Sequence, residues 1–330
     1  MPEPAAPEIS IPSKDLGADL AFFVDRLGFR LDTIFPADDP STAALSGHGA
    51  RIRLTRVSAE ALDQDSAGGR RGPDSLIVTE AKDGDWIVGR AGMEYRDLIP
   101  GRLGGALIAS HIRIRDAGPV PDLVHFHDIT FQLIFCHRGW VRVVYEDQGA
   151  PFLLHAGDCL IQPPRIRHRV LEASEGLEVI EVSAPARHLT TMDHDMALPT
   201  HGHRPERDFS GQRFCRSELS AATWKPSRLP GFESRETGIS EATGGTASVR
   251  TLRSAVPTVE AWTAHTAESL FMFVRSGSVA FAEQRGDVHP LHAGDACVIP
   301  AGMVGALRAP TRDLELLEVA FPASFETRLC

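Results

Sequence analysis

Residues 155–191 read HAGDCLIQPPRIRHRVLEASEGLEVIEVSAPARHLTT, and residues 292–328 read HAGDACVIPAGMVGALRAPTRDLELLEVAFPASFETR. The two align without a gap at an offset of 137 residues, so the chain carries an internal repeat, and a repeat sets the architecture before any single element does. Upstream the match continues, with FQLIFCHRGWVRVVYED (131–147) lying on SLFMFVRSGSVAFAEQR (269–285) and Gly139 on Gly277. Each copy alternates apolar and polar residues over short runs broken by Gly, Pro and Asp, the pattern of half-buried antiparallel strands. LEVIEVSAP and LELLEVAFP are equivalent strands, each ending at a proline.

Between the copies, MDHDMALPTHGHRPERDFSGQ (192–212) is rich in Pro, His and charge and lacks periodicity, so it reads as a linker crossing a surface. Ahead of them, EISIPS is a short strand. SKDLGADLAFFVDRLG is a helix with Ser13 as its cap and Leu16, Leu20, Phe23 and Leu27 at helical spacing. FRLDTIFPA, TAALSG and ARIRLTR read as three further strands, completing a βαβββ unit. The expected organisation is mainly β: a small α+β module with its connector over 1–100, a first barrel over 101–191, a linker over 192–214 and a second barrel over 215–330.

Composition agrees with that count and narrows the partners. The chain has 330 residues, 42% hydrophobic, enough for two or three compact domains. It carries 44 acidic residues against 34 Lys plus Arg, a formal charge of −10, and no basic block that would mark a nucleic-acid or anionic-lipid surface. The start MPEPAAPEIS lacks the basic and apolar stretches of a secretory signal, and no 18 apolar residues run together. A cytoplasmic protein without membrane or nucleic-acid partners is expected. The five cysteines are widely separated and form no CxxC pair, so neither a disulfide framework nor a zinc knuckle is indicated.

The repeated domain resembles the cupin superfamily of small jelly-roll barrels, which is marked by two motifs, G-x(5)-H-x-H-x(3,4)-E-x(6)-G and G-x(5)-P-x-G-x(2)-H. In copy one, HFHDITFQLIFCHRG supplies His125, His127 and Gly139, with Gln132 where the motif has glutamate; Gly118 precedes His125 by one residue too many. GDCLIQPPRIRH supplies Gly157, Pro163 and His168, with Arg165 at the usual glycine. The resemblance implies two tandem cupin barrels with a metal site in the first. Residues 8–57 resemble one βαβββ module of the glyoxalase/bleomycin-resistance superfamily, notably in FFVDRLGF. That superfamily places metal ligands on paired modules; here the first strand offers Glu8 but no histidine, and no second module is evident, so a structural or interface role is expected.

Strand geometry supports the metal site independently. Two histidines one residue apart on a strand project from the same face about 6–7 Å apart, while Phe126 points away. His168 from a facing strand would complete a three-imidazole face suited to one divalent transition ion, Fe, Zn, Cu, Ni or Mn, with positions left open for substrate. Gln132 has two readings: a ligand through its carbonyl oxygen, or a group that orients a histidine or water. Three neutral imidazoles without a carboxylate favour an anionic chelating substrate. His201 and His203 form an HxH in the linker without strand context and read as chance.

Copy two is an internal control. Thr263 and His265 fall at its HxH positions, Leu270 at the Gln132 position and Gly305 at the His168 position, whereas Gly294, Asp295, Pro300 and Gly302 are kept. A barrel without an ion is expected there. Further pocket candidates in copy one are arginines able to hold a substrate carboxylate, with Arg113, Arg142, Arg165 and Arg167 near the motif strands, and Tyr145. ASHIRIRDAG leaves two readings open: His111, Arg113 and Arg115 face the barrel interior, or Ile112 and Ile114 do.

The three-histidine pattern resembles cupin dioxygenases. It implies a mononuclear non-haem Fe(II) enzyme acting with O2 on a small anionic or enolisable compound, such as a diketone, phenol or hydroxy acid. Two rival classes are a non-redox isomerase, lyase or hydrolase using Zn, Mn or Ni, and a non-enzymatic ligand-binding or regulatory protein. Such barrels also pair through exposed edge strands, so a homo-oligomer is compatible with the sequence.

Overall fold

The period-two alternation of the repeat builds two jelly-roll barrels, each of two facing sheets. A computed structural model describes residues 8–57, 72–82, 86–255 and 260–330. In the first barrel one sheet runs, in spatial order, Cys215–Ser217, Cys159–Ile161, Phe131–Arg138, Leu177–Ala184, Ile108–Ile114, Glu94–Asp97 and Ile87–Val88. The second barrel repeats that order with Ile77–Thr79, Ala296–Pro300, Ser269–Ser276, Glu315–Phe321, Ser248–Ser254, Phe232–Glu236 and Trp224–Pro226.

The outermost strand of each sheet comes from the other side of the chain. Ile77–Thr79 precedes the first copy but pairs with Ala296–Pro300 of the second, while Cys215–Ser217 precedes the second copy and pairs with Cys159–Ile161 of the first. The repeated HAGD turn receives these exchanged strands. Asp158 accepts from its own turn at His155 N (3.0 Å) and from Leu219 N just beyond the incoming strand (2.8 Å). Asp295 does the same with His292 N (2.7 Å) and Ala81 N (2.6 Å). The glycine before each aspartate has φ near +90°, and an added Cβ would fall 2.5 Å from Leu219 at Gly157 and 3.0 Å from Ala81 at Gly294. An arginine from each copy completes the clasp: Arg235 donates to Gly157 O and Arg96 to Gly294 O, both at 2.9 Å.

Both faces of these central sheets are buried. Ile112, Val141 and Val179 fill the interior of barrel one. Phe131, Leu133 and Phe135, one residue out of phase with that interior row, join Phe271, Phe273 and Val319 in a core shared between the barrels. Phe131 meets Phe321 edge to face at 5.0 Å. A sheet covered on both sides reads as a near-continuous apolar run, which is what FQLIFC and SLFMFV are.

The N-terminal residues form a βαβββ unit in which Glu8–Ser13 pairs in parallel with Ala50–Arg56. Its sheet continues into the first barrel, because Arg30–Phe35 pairs with Thr190–Met192, which in turn pairs with His125–His127. The expected Ser13 cap is corrected to Asp15, whose carboxylate accepts from Ala18 N at 3.0 Å; Ser13 instead donates to Asp19. The α-helix is short, Leu16–Ala21, and passes into a π-helical turn, Phe22–Arg26, which leaves Leu27 exposed. The first barrel takes in strands on both sides of residue 101, since Glu94–Asp97 pairs with Ile108–Ile114. The 192–212 stretch is pinned rather than free: Phe209 enters the core of barrel one, and Arg207 bridges Glu146 and Asp147. No helix among the described residues is long and apolar enough to cross a membrane.

Asp158→Ala and Asp295→Ala should each lower stability by about 1–3 kcal/mol, because each strands two backbone donors, one of them on the exchanged segment. Thermal unfolding followed by circular dichroism would show it; a midpoint no lower than that of the surface control Glu172→Ala would remove the clasp from the account.

Candidate metal centre

His125–His127 is a three-residue strand, and His125 stands directly opposite His168 across an antiparallel pair. The three rings gather there, with centroids 4.2 Å apart for His125 and His168, 5.1 Å for His125 and His127, and 5.2 Å for His127 and His168. One nitrogen from each lies within 4.8 Å of the other two.

The opposite nitrogens are tied down. His125 Nδ1 donates to Leu123 O at 2.7 Å and His168 Nδ1 to Ile166 O at 3.0 Å, and since a carbonyl only accepts, both rings keep a bare Nε2. His127 Nδ1 meets the Thr190 hydroxyl at 3.0 Å. His125 Nε2 is buried without any hydrogen-bond partner. Burial pushes the pKa of His125 and His127 well below the ordinary histidine value and that of His168 down to about 4, so all three are neutral near pH 7. Neutral imidazoles, oriented by outer hydrogen bonds and aiming unpartnered lone pairs at one point, fit a divalent transition ion.

A cavity of about 80 Å³ opens beside these rings. Ile112, Ile114 and Val179 represent its apolar wall, and Arg90, Tyr95, Tyr145, Gln162 and Glu181 are its polar groups beside the histidines. Tyr145 stacks on His168 at 5.4 Å, and its hydroxyl accepts from Gln162 Nε2 at 2.7 Å. Burial holds the Tyr95 and Tyr145 phenols protonated, well above their usual pKa. Arg90 is paired with Asp122, which also accepts from Val170 N at 2.9 Å and lies 3.5 Å from His125 Nδ1.

Tyr145 therefore faces the cavity, and none of the four expected arginines does. Ile112 and Ile114 take the interior face, which sends Arg113 outward to Glu94 and over the Trp86 ring at 3.9 Å. Arg142 also points out, in a half-exposed pair with Glu172 at 3.1 Å. Arg165 and Arg167 flank the outward Phe126 and pair with Asp128 and Asp193. The cavity arginine is Arg90, which sequence reasoning missed; it opens a single 3-10 turn, Arg90–Gly92, placed by the adjoining Glu94–Asp97 strand, and nothing local signals it. Gln162 and Glu181 were also missed, although the alternation Leu177, Val179, Glu181 puts the glutamate on the inward row. Gln132 lies on the inward row with Ile134, and both ends of its amide are buried without a partner; Ile134 lines the cavity and Gln132 stands beyond it.

The second barrel has lost this geometry. Thr263, His265, Leu270 and Gly305 line its interior, and a Cβ on Gly305 would lie 2.3 Å from the Phe281 ring, so no third histidine fits there. Among the described residues one other group of donors, His111, His137 and Glu178, lies between the barrels. Arg96 donates to His111 Nδ1 at 3.0 Å, so the other nitrogen carries the proton and donates to Glu178 at 2.8 Å. A ring engaged at both nitrogens has no lone pair for an ion, and in copy two the matching positions hold the Arg275–Glu315 ion pair.

No protein-family model matches the chain, and no curated protein matches it in sequence. Solved structures match in fold. Oxalate decarboxylase from Bacillus subtilis aligns with a TM-score of 0.57 at 14% identity, over 78% of this chain and 79% of that one. Protein Ylba from E. coli aligns at 0.52 and 11%, over 77% and 92%. A mutant of salicylate 1,2-dioxygenase from Pseudoaminobacter salicylatoxidans aligns at 0.52 and 17%, over 69% and 75%. At these identities the likeness shows the fold: two cupin jelly-roll barrels.

His265 provides a pH test of the converted barrel. Burial lowers its pKa to about 4, whereas an unfolded histidine titrates near 6.5. Its neutral form therefore favours folding fully above about pH 6.5, and that contribution drains as pH falls toward 4. Between pH 7 and pH 5 the wild type should lose about 2 kcal/mol more stability than His265→Leu. Urea unfolding at the two pH values would measure this; equal losses would mean that His265 is not held neutral.

Proposed function

We propose that the first barrel is the active site of a metal-dependent enzyme acting on a small anionic or enolisable organic compound, with Fe(II)-dependent dioxygenation of a diketone, phenol or hydroxy acid as its leading form. The observation that carries this reading is the convergence of three neutral imidazoles whose outer nitrogens are tied to Leu123, Ile166 and Thr190. His125, His127 and His168 would hold the ion, and the unpartnered amide of Gln132 would tune it or a bound water. When bound, the ion supplies Lewis acidity and a common site for substrate and O2.

The chain's own groups then set the substrate. Three neutral donors leave the ion's charge uncompensated, which favours an anion with its own oxygen donors. Arg90 offers a cation at the cavity wall, and its Nε is buried without a partner. The apolar walls exclude bulk water, which strengthens these interactions. The βαβββ head contributes to the site: Ala37 lines the cavity, and Arg90 N donates to Ala37 O at 3.1 Å. A non-redox lyase or isomerase is the second reading, favoured by the carboxylate of Glu181 at the cavity wall.

Protein purified without added metal should contain about one transition ion per chain, as expected for a single ligand set. His125→Ala and His168→Ala should abolish it while His265→Ala retains it, as read by elemental analysis. Two ions per chain, or one that survives His168→Ala, would refute the assignment. Oxygen uptake by the Fe(II)-loaded protein across diketones, salicylates and 2-hydroxy acids separates the two chemistries, because conversion under strict anaerobiosis selects the non-redox reading.

A further inference from the structure

We infer that Glu181 is the proton-accepting catalytic residue of this cavity, and that the substrate is an acid, phenol or enol whose hydroxyl gives up its proton on reaching the three-histidine face. The inference rests on the metal reading above and extends it to the residue that moves the proton.

Four observations place the role there. Glu181 is on the inward row of Leu177–Ala184 and lines the metal cavity, while Ile180 and Val182 face the core between the barrels. It lies outside the cluster of nitrogens that would hold the ion, so it is a neighbour of the centre rather than part of the ligand set. Among the described residues it makes no ion pair; Ser183 Oγ donates to its Oε1 at 3.0 Å. The repeat supplies the control. The equivalent Glu318 of the second barrel, at the same offset of 137, is bound by Arg228 and lies 3.6 Å from Arg250. Where the histidines are lost the glutamate is held in an arginine ion pair, and where they are present it lines the cavity without one, the nearby Arg90 being paired with Asp122.

The other candidates are occupied. Gln132, at the position where the motif carries glutamate, has an amide that takes up no proton near neutral pH. Asp122 is engaged by Arg90 and Val170 N behind His125. Tyr95 and Tyr145 hold their protons, and Arg90 is a fixed cation. In the step itself the substrate O–H bond breaks, its electron pair stays on the substrate oxygen, and the proton forms a new O–H bond on the Glu181 carboxylate. No oxidant or reductant enters.

The test uses Zn(II)-loaded full-length protein and maltol, a redox-inert O,O-chelator that loses one hydroxyl proton on binding. Calorimetry at one pH in phosphate and in Tris, which differ in ionisation enthalpy, counts the protons passed to buffer. Wild type should release well under one proton per maltol, because Glu181 keeps it. Glu181→Gln, with zinc content and thermal midpoint unchanged, should release one proton and bind about tenfold more weakly, the order expected for loss of a hydrogen bond involving a charged group. Glu181→Asp should restore part of the proton retention. Identical proton counts and affinities in wild type and Glu181→Gln would overturn the role of Glu181 while leaving the metal centre standing. Failure of the wild type to hold zinc, or of its zinc form to bind maltol, would instead bring down the metal reading and this inference with it.

Discussion

The structure depends on the exchange of one strand between the two barrels. Each HAGD turn spends its aspartate on two backbone donors, one in its own turn and one on the chain arriving from the other copy. Neither sheet is complete without that arrival, and the phenylalanine core between the barrels forms on the sheets so completed. The repeated sequence is thus explained by something neither copy could do alone. A carboxylate that satisfies two amides is expensive to remove, so the turn persists in both copies even though the chemistry of their interiors has diverged.

The same dependence reaches the histidines. His125 and His168 are aligned by a direct strand pair, and His127 is steadied by Thr190 on the strand that joins the barrel to the N-terminal module. That module extends the barrel's sheet through Arg30–Phe35 and then supplies Ala37 to the cavity. In the second barrel the equivalent strand, Thr327–Leu329, has no further neighbour among the described residues, and its cavity, lined by Phe281 and Met272, is only about 30 Å³. The copy that gained an added sheet is the copy that keeps the three-imidazole face.

What the sequence made legible followed from periodicity and from the repeat. Alternation located the strands, the offset of 137 paired the barrels, and motif spacing singled out His125, His127 and His168. The exchange was hidden because Ile77–Thr79 and Cys215–Ser217 are three-residue strands, too short for a pattern. Arg113 drew attention through the alternation of ASHIRIRDAG and Arg142 by lying near the motif strands, yet strand parity turned both outward. Arg90 escaped notice for the converse reason: its place at the cavity comes from tertiary docking of a three-residue turn. Glu181 was within reach, because LEVIEVSAP and LELLEVAFP carry a glutamate at the same inward position and only one copy supplies it with an arginine partner.

With a divalent ion bound as proposed, charge balance in the cavity would favour an internal proton acceptor. The histidines are neutral and Arg90 is paired with Asp122, so a divalent ion held there beside the Glu181 carboxylate would leave one positive charge, which a monoanionic substrate would neutralise. If that substrate then gives a second proton to Glu181, it becomes a dianion against the full charge of the ion, and the sum is again zero. Transfer to bulk water would instead leave the buried site one charge more negative, at the desolvation cost that burial imposes on uncompensated charge. Moving the proton between substrate and Glu181 changes no net charge inside the barrel. The apolar wall of Ile112, Ile114 and Val179, which would penalise an imbalance, therefore does not oppose the step.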